Sequence, residues 1–563
     1  MQNKRLFLLS HLVERLKAQS SLVDGEVYGY VAGNGEVFVL SAAATTHTSE
    51  DLQHSPALLL PAPLLSIGTF SIFIGDHTKP NLQDGKIGLI WDQNELHVYS
   101  NSLEEVSLQT YEILSSEDMY EKFALARISF GLDLTSKADS TSIKNSIKHL
   151  SEQIASPAGC FHLNDTKLLL QNNDGGVLSL GGVVQDTDAP VKTLIKTVCK
   201  KKVTSNHETL SFNLVINRSI QESTQSPVVH IENNKAKIQC THLNGDALVY
   251  IDKGLSLSKL ANLLSNAVVH HLQLVQYWLL RQLKEEQLQS PLQSCNVFPY
   301  VSGIVVTLVY PENIQEDLLE GYRKQVHRTL LFPSDQPFVR RANKLQFPTQ
   351  KKAGILQNTH IGLKPSGVNG KVSIVQGTYG YHHYMQDRFD DNKWGCAYRS
   401  LQTLISWFRY QGYTDKPIPT HREIQKCLVD IGDKPVKFIG SCQWIGSQEV
   451  GFVLDHLLGV SSKFIYVGSG ADLAEKGREL ALHFDTIGTP VMIGGGVLAH
   501  TIIGVHWNSE TGDIAFLILD PHYTGGEDLS LIQKQGWCGW KGPDFWDANA
   551  YYNMCLPQPP KAI

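Results

Sequence analysis

The sequence predicts an α+β protein: a strand-rich α/β domain fills its first half, and a second domain of mixed helix and strand fills its last third. Three features lead to that reading. Short alternating apolar runs bounded by turn residues occupy roughly the first 250 residues. One long stretch, Leu255–Gln289, then places Leu264, Val268, Leu272, Val275 and Leu279 at helical spacing. Beyond residue 371 aromatic residues and glycines become dense around a buried helix that starts at Cys396.

Within the first domain, Val27–Val31 and Glu36–Leu40 flank Asn34-Gly35, a dipeptide that accepts the positive φ angles of a tight hairpin turn. Lys86–Trp91 and Glu95–Ser100 repeat the pattern across Asp92–Asn94. The long helix closes a domain spanning residues 1–290, and Glu285–Ser294 reads as a polar connector. A small αβ segment follows over 295–345. There Val301–Tyr310 is strand-like, and Gln315–Leu331 puts Leu318, Leu319, Tyr322, Val326 and Leu330 on one helix face. Residues 346–370 form a linker rich in Lys, Gly and Pro, and the second domain runs over 371–563.

Composition narrows the function. With 563 residues, 42% hydrophobic and 18% charged, the chain can bury more than one sizeable core. Its net charge of −6 leaves no basic footprint for a dedicated nucleic-acid binder. Nine cysteines, an odd number without a Cys-x-x-Cys, fit neither a disulfide framework nor a zinc or dithiol site, and they point to a reducing compartment. The apolar run Leu6–Ser10 is too short for a signal peptide and is followed at once by His11, Glu14 and Arg15. Pro56–Gly75, the longest uncharged stretch, carries Pro56, Pro61 and Pro63 and reads as β-rich. No transmembrane segment is expected, and the chain reads as soluble.

The chemistry lies in the second domain. After Cys396 come Leu401, Leu404, Ile405 and Phe408, the spacing of a helix that buries one side, so the cysteine starts that helix. An ordinary thiol has a pKa near 8.5; a helix N-terminus and a neighbouring imidazolium bring it to about 3.5–7.5, where the thiolate is the resting form. Gly395 lets a substrate backbone approach closely. Far downstream, the apolar strand Ile514–Leu519 ends in Asp520-Pro521-His522. Pro521 pushes Asp520 towards an extended conformation, so Asp520 and His522 are expected on the same side, with the carboxylate holding one ring nitrogen and the other facing Cys396. Attack on a carbonyl also requires donors for the oxyanion. The Cys396 N–H supplies one, and the Tyr384 hydroxyl is the candidate for the other, with the Gln386 amide as the alternative.

The segments Tyr381–Arg388, Trp394–Gln402, Gly494–Thr501, Asp520–Gly525 and Gly536–Asp547 closely resemble the ubiquitin-fold modifier 1-specific proteases, in their long, type 2 form. The resemblance is specific over Gln357–Ile563 and weaker upstream. It implies a papain-like cysteine protease domain, a catalytic triad of Cys396, Asp520 and His522, and an oxyanion hole that includes Tyr384; no metal or cofactor is expected. Lys393 stands where the family usually has glycine. The implied substrate is the modifier itself, cleaved after its terminal glycine in the precursor and in conjugates on lysine. Trp394 and the run Gly494, Gly495 and Gly496 are the candidate walls of a slot for that glycine-ended tail. Long family members carry a non-catalytic, MPN-like N-terminal domain that recruits substrates and docks to a partner at the endoplasmic reticulum. The resemblance therefore implies a cytoplasmic enzyme at the cytosolic face of that membrane. Residues 1–290 lack a His-x-His motif and hold no catalytic constellation.

Two other readings compete. An autophagy-type cysteine protease acting on another ubiquitin-like modifier also pairs Trp-Gly-Cys with Asp-Pro-His, but the flanking segments differ. A non-enzymatic adaptor with a retained protease fold requires a broken triad, and all three residues are present. Other conspicuous residues receive structural readings. His500 and His506 are expected to be core histidines, and His382-His383 lacks further ligands at metal spacing. Cys427, Cys442, Cys538 and Cys555 are expected to be buried thiols. Trp537, Trp540 and Trp546 are expected to pack the last turns, and Lys200–Lys202 to form a solvated face.

Overall fold

A computed structural model describes residues 5–45, 54–73, 80–102, 105–171, 177–179, 188–198, 209–217, 238–285, 290–345, 347 and 354–563. Lys200–Lys202 lies outside the described residues. So do the end of the Pro56–Gly75 stretch, residues 286–289 of the connector and of the predicted helix end, and residues 346 and 348–353 of the predicted linker. The chain divides into two compact units, Met1–Ser334 and Asp335–Ile563.

In the first unit the described residues form an eight-stranded sheet, a six-stranded sheet and a two-stranded pair. Val23–Val31 and Val37–Ala44 pair antiparallel around Gly35, whose φ of 85° is the left-handed conformation the turn requires. Ile87–Trp91 and Leu96–Ser102 pair around a turn in which the Asp92 carboxylate accepts the N–H groups of Asn94 and Glu95. The long helix runs Leu257–Lys284, and its buried stripe includes Leu260, Leu264, Val268, Leu272, Val275 and Leu279. It packs against the helix Ser140–Ala155 and the strand Ile238–Asp252. The strand pair Leu292–Val297 and Val306–Pro311 and the helix Glu320–Thr329 also belong to this unit. One predicted core position is not buried. Leu318 is 74% exposed because Glu316–Leu319 is a separate 3₁₀ turn, whose tighter winding rotates it off the stripe of the following helix.

The second unit is a sheet of seven strands with helices on both faces. In hydrogen-bonding order the strands are Ser461–Val467, Tyr552–Gln558, Val491–Gly495, Leu498–Trp507, Ile514–Leu519 and Cys538–Lys541, with Lys371–Ile374 also pairing on Leu498–Trp507. Alternation divides the residues of Ile514–Leu519 between two cores. Leu517 and Leu519 face the helix Cys396–Tyr410, while Phe516 and Ile518 face the helix Gly477–Thr486. All positions from Cys396 to Phe408 are buried, so this helix is central and not a surface amphipath. Its polar groups are satisfied from the surrounding chain. Ser400 Oγ lies 2.7 Å from Thr501 Oγ1, Gln402 donates to the Pro419 carbonyl at 2.8 Å, and Trp407 Nε1 donates to the Gln376 carbonyl at 2.6 Å. The Ser400 bond pins the first turn of the helix to the strand that passes the nucleophile.

Leu404 is fully buried in this core. Leu404→Ala is expected to destabilise the chain by about 2–5 kcal/mol, measured by chemical denaturation of the full-length protein.

Candidate active site

Cys396 is the first residue of the central helix, with Gly395 as its cap, and it is buried with an 8% exposed remnant. The strand Ile514–Leu519 stops one residue short of Asp520, and a tight turn places His522. The sequence reading puts Asp520 and His522 on one side within hydrogen-bond reach, and they meet there: the Asp520 carboxylate accepts the His522 N–H at 3.0 Å, which closes a turn, and the same oxygen lies 2.6 Å from His522 Nδ1. That bond assigns the proton on Nδ1 and leaves Nε2 for the sulfur. Nε2 is buried and has no aligned hydrogen-bond partner, yet Cys396 and His522 each register the other in their proton affinities. The two groups are therefore neighbours whose resting contact is looser than a regular hydrogen bond.

The electrostatics favour an ion pair. Burial pushes the Cys396 thiol up, but the proximity and charge of His522, the Ala499 N–H and the Tyr384 hydroxyl outweigh it, and the net shift is downward. Burial pushes His522 down, and Asp520 and Cys396 more than reverse this, raising it to about 9. Tyr384 sits edge-on to His522, with ring centroids 5.3 Å apart, and its backbone N–H donates to the Pro521 carbonyl at 2.9 Å. Burial and the sulfur raise its hydroxyl far above the usual tyrosine range, and the Cys396 N–H lies beside that hydroxyl. The structure thus brings Cys396, Asp520, His522 and Tyr384 together. The Gln386 amide is directed elsewhere, donating to the Tyr381 carbonyl at 3.1 Å and to Glu527 at 2.6 Å.

Trp394 is half-buried among Phe389, Tyr398 and His421. Of the three glycines, Gly495 meets the Tyr552 ring and Gly496 has φ of 57°, so the fold itself requires both; Gly494 alone has only ordinary contacts beside it. His506 is a core histidine bonded to Ser366 and the Gly370 carbonyl. His500 is also buried, but its Nε2 lies 3.8 Å from the second oxygen of Asp520 and its ring 5.1 Å from that of His522. Burial holds its pKa down at about 4, so it faces the carboxylate as a neutral ring. His500, Asp520 and His522 have ligand atoms within 4.8 Å of one another, and the short Asp520–His522 bond occupies two of them. Cys427, Cys538 and Cys555 are buried, whereas Cys442 is exposed, because it lies in the loop before the helix Ser447–Leu458 and not in either core.

Ala499 and His500 are among the neighbours of the site that sequence reasoning missed. The Ala499 N–H is a backbone group and carries no residue signature. His500 reaches Asp520 through strand register alone, because Thr501 pairs with Leu519.

Comparison with known proteins now places the chain. Residues 370–555 match the profile of Peptidase family C78, and residues 144–352 match the profile described as Ubiquitin-fold modifier 1 specific protease 2, N-terminal. Ufm1-specific protease 2 of Rattus norvegicus is 45% identical over 75% of this chain and 95% of its own length. The probable Ufm1-specific protease 2 of Drosophila melanogaster is 35% identical over 99% of both chains. The chain belongs to the Ufm1-specific protease 2 family. The crystal structure of UfSP from C. elegans covers 100% of both chains at 27% identity with a TM-score of 0.72. Membership makes the chain a cysteine protease with a C78 papain-like domain behind a strand-rich N-terminal domain. The N-terminal match extends the resemblance into a region where the sequence reading found it weak.

The Lys393 departure has a conformational meaning. Its φ is 72°, the left-handed region that glycine adopts without strain, and its side chain is exposed. Lys393→Gly is expected to stabilise the protein by about 0.5–1 kcal/mol, read as a higher thermal midpoint. The ion pair also fixes the pH profile. Activity rises as Cys396 loses its proton, below the ordinary thiol range, and falls as His522 loses its proton near pH 9. A kcat/KM profile with its acid limb centred above the normal thiol value contradicts the assignment.

Proposed function

We propose that this protease cleaves after the C-terminal glycine of ubiquitin-fold modifier 1, maturing the precursor and releasing the modifier from lysines of conjugated proteins. The observation that carries the chemistry is the buried Cys396 sulfur, set among the His522 ring, the Ala499 N–H and the Tyr384 hydroxyl. The substrate follows from the names of the relatives.

In this reading the Cys396 thiolate attacks the carbonyl carbon of the terminal glycine. The negative charge moves to the carbonyl oxygen, which the Cys396 N–H and the Tyr384 hydroxyl receive. The C–N bond breaks as the His522 imidazolium gives its proton to the leaving amine, and a thioester remains. Neutral His522 next takes a proton from water, whose oxygen attacks the thioester; collapse restores the thiolate and frees the glycine carboxylate. Asp520 keeps the ring in one tautomer and balances its charge in both halves. A precursor peptide and a lysine conjugate differ only in the leaving amine, so one site serves both. Trp394 and Gly494 are assigned to the walls of the tail channel.

The N-terminal unit is assigned the recruitment of substrates and docking to a partner at the cytosolic face of the endoplasmic reticulum. A docking role accords with the described residues, in which no helix is long and apolar enough to cross a membrane.

The test offers the full-length chain the precursors of this modifier and of an autophagy-type ubiquitin-like protein. Cleavage of the first in preference is expected; preference for the second overturns the substrate. Cys396→Ser is expected to lower cleavage by at least about 10³-fold while still binding the modifier. Tyr384→Phe is expected to lower kcat by about 10–10² with KM nearly unchanged.

A further inference from the structure

The two proposed oxyanion donors come from different parts of the unit. The Tyr384 segment is strapped to the histidine turn: Tyr381 Oη donates to the Asp520 carbonyl at 2.5 Å, the Tyr384 N–H donates to the Pro521 carbonyl at 2.9 Å, and His383 Nε2 lies 3.1 Å from Glu527. Cys396 belongs to the central helix. Asp391, fully buried, joins the two. One carboxylate oxygen accepts the Met385 N–H at 2.8 Å, directly beside Tyr384. The other accepts Arg399 Nε at 2.6 Å from one turn inside the helix, with His421 Nε2 at 3.0 Å. Its backbone carbonyl accepts the N–H groups of Trp394 at 3.2 Å and Gly395 at 2.9 Å, which sets the residue before the nucleophile. A Cβ on Gly395 would come within 2.6 Å of the Asp391 side chain, so the cap is glycine because the carboxylate occupies that space.

A second observation shows that this connection holds a conformation the chain would not otherwise keep. Met385, Asp387, Arg388 and Lys393 all have φ between 57° and 72°. Left-handed backbone at non-glycine residues is strained and persists only where surrounding bonds over-determine it. The bonds here converge on Asp391. Arg399, 1% exposed, also reaches the Gln386 carbonyl at 3.1 Å and so braces the same loop.

We propose that Asp391 is the positioning residue that sets the Tyr384 hydroxyl against the Cys396 N–H, so that the oxyanion hole is assembled before substrate arrives. This rests on the reading of Tyr384 as an oxyanion donor. Asp391 touches neither the substrate nor the sulfur; it acts through Met385 on one side and Gly395 on the other. Removing its charge loosens the tyrosine and leaves the Cys396–His522 pair, which Asp520 holds independently.

The test compares the full-length wild type with Asp391→Asn, Tyr384→Phe and the double variant on the modifier precursor. It also measures alkylation of Cys396 by iodoacetamide, a displacement at carbon that forms no oxyanion. Asp391→Asn is expected to lower kcat by about 10-fold or more, with KM within about twofold of wild type and alkylation no slower than in Tyr384→Phe, which also loses the hydroxyl beside the sulfur. In the double variant the loss is expected to be no more than about threefold beyond the larger single loss. Multiplicative losses, or alkylation that falls in step with kcat, overturn the proposal. An unchanged kcat for Tyr384→Phe overturns the reading of Tyr384 itself, a distinct result. If Asp391→Asn does not fold, Arg399→Lys, which keeps the charge opposite Asp391 but not the planar fork, enters the same cycle and is judged by the same outcomes.

Discussion

The imidazole of His522 can hold a proton beside a buried sulfur only because a half-buried carboxylate faces its other nitrogen. Placing charges in a site this enclosed is costly, several kcal/mol for each ion, unless every charge has a partner. Here each does: Asp520 accepts from both the ring and the backbone of His522, and the sulfur has the Ala499 N–H and the Tyr384 hydroxyl beside it as well as the imidazolium. The same burial that opposes ionisation also excludes water, and so strengthens each of these interactions. The rest of the protease unit follows from the need to keep these groups together.

The sheet meets that need by ending where the chemistry begins. Asp520 lies just beyond the end of one buried strand, and the next strand in the sheet brings Ala499 and His500 past it. Ala499 belongs to the core on the helix side, while His500 stacks edge-on against Phe545 and Trp546 from the other. The catalytic groups thus gather round the end of the sheet, with the sulfur on one side and the carboxylate towards the other. The tyrosine loop closes over that end, in a strained backbone that only its bonds to neighbouring elements maintain.

What was legible in the sequence was what depends on near neighbours. The Asn34-Gly35 turn, the stripe of the long helix and the helix start at Cys396 follow from adjacent residue types, as does the pairing of Asp520 with His522. An Asx-type turn joins the last pair. Leu318 misled because apolar spacing does not reveal a 3₁₀ turn ahead of a helix. Cys442 misled because a thiol's burial depends on a loop's path. Ala499, His500 and Asp391 were not legible as site neighbours, since each acts through strand register or loop closure. Lys393 was visible as a departure, but its meaning needed a φ angle.

The central claim is that Cys396 ionises more readily than an ordinary thiol because protonated His522 stands beside it. The ultraviolet thiolate absorbance of the full-length protein at neutral pH tests it most directly, read as the difference between wild type and Cys396→Ser. Burial raises the thiols of Cys160 and Cys427 and pushes Cys538 up to about 11 and Cys555 to about 12, so these stay protonated and cancel in the difference. The account predicts thiolate absorbance lost in Cys396→Ser, and a comparable loss in His522→Ala. Equal absorbance in wild type and Cys396→Ser would contradict it, because the sulfur would then rest as a neutral thiol.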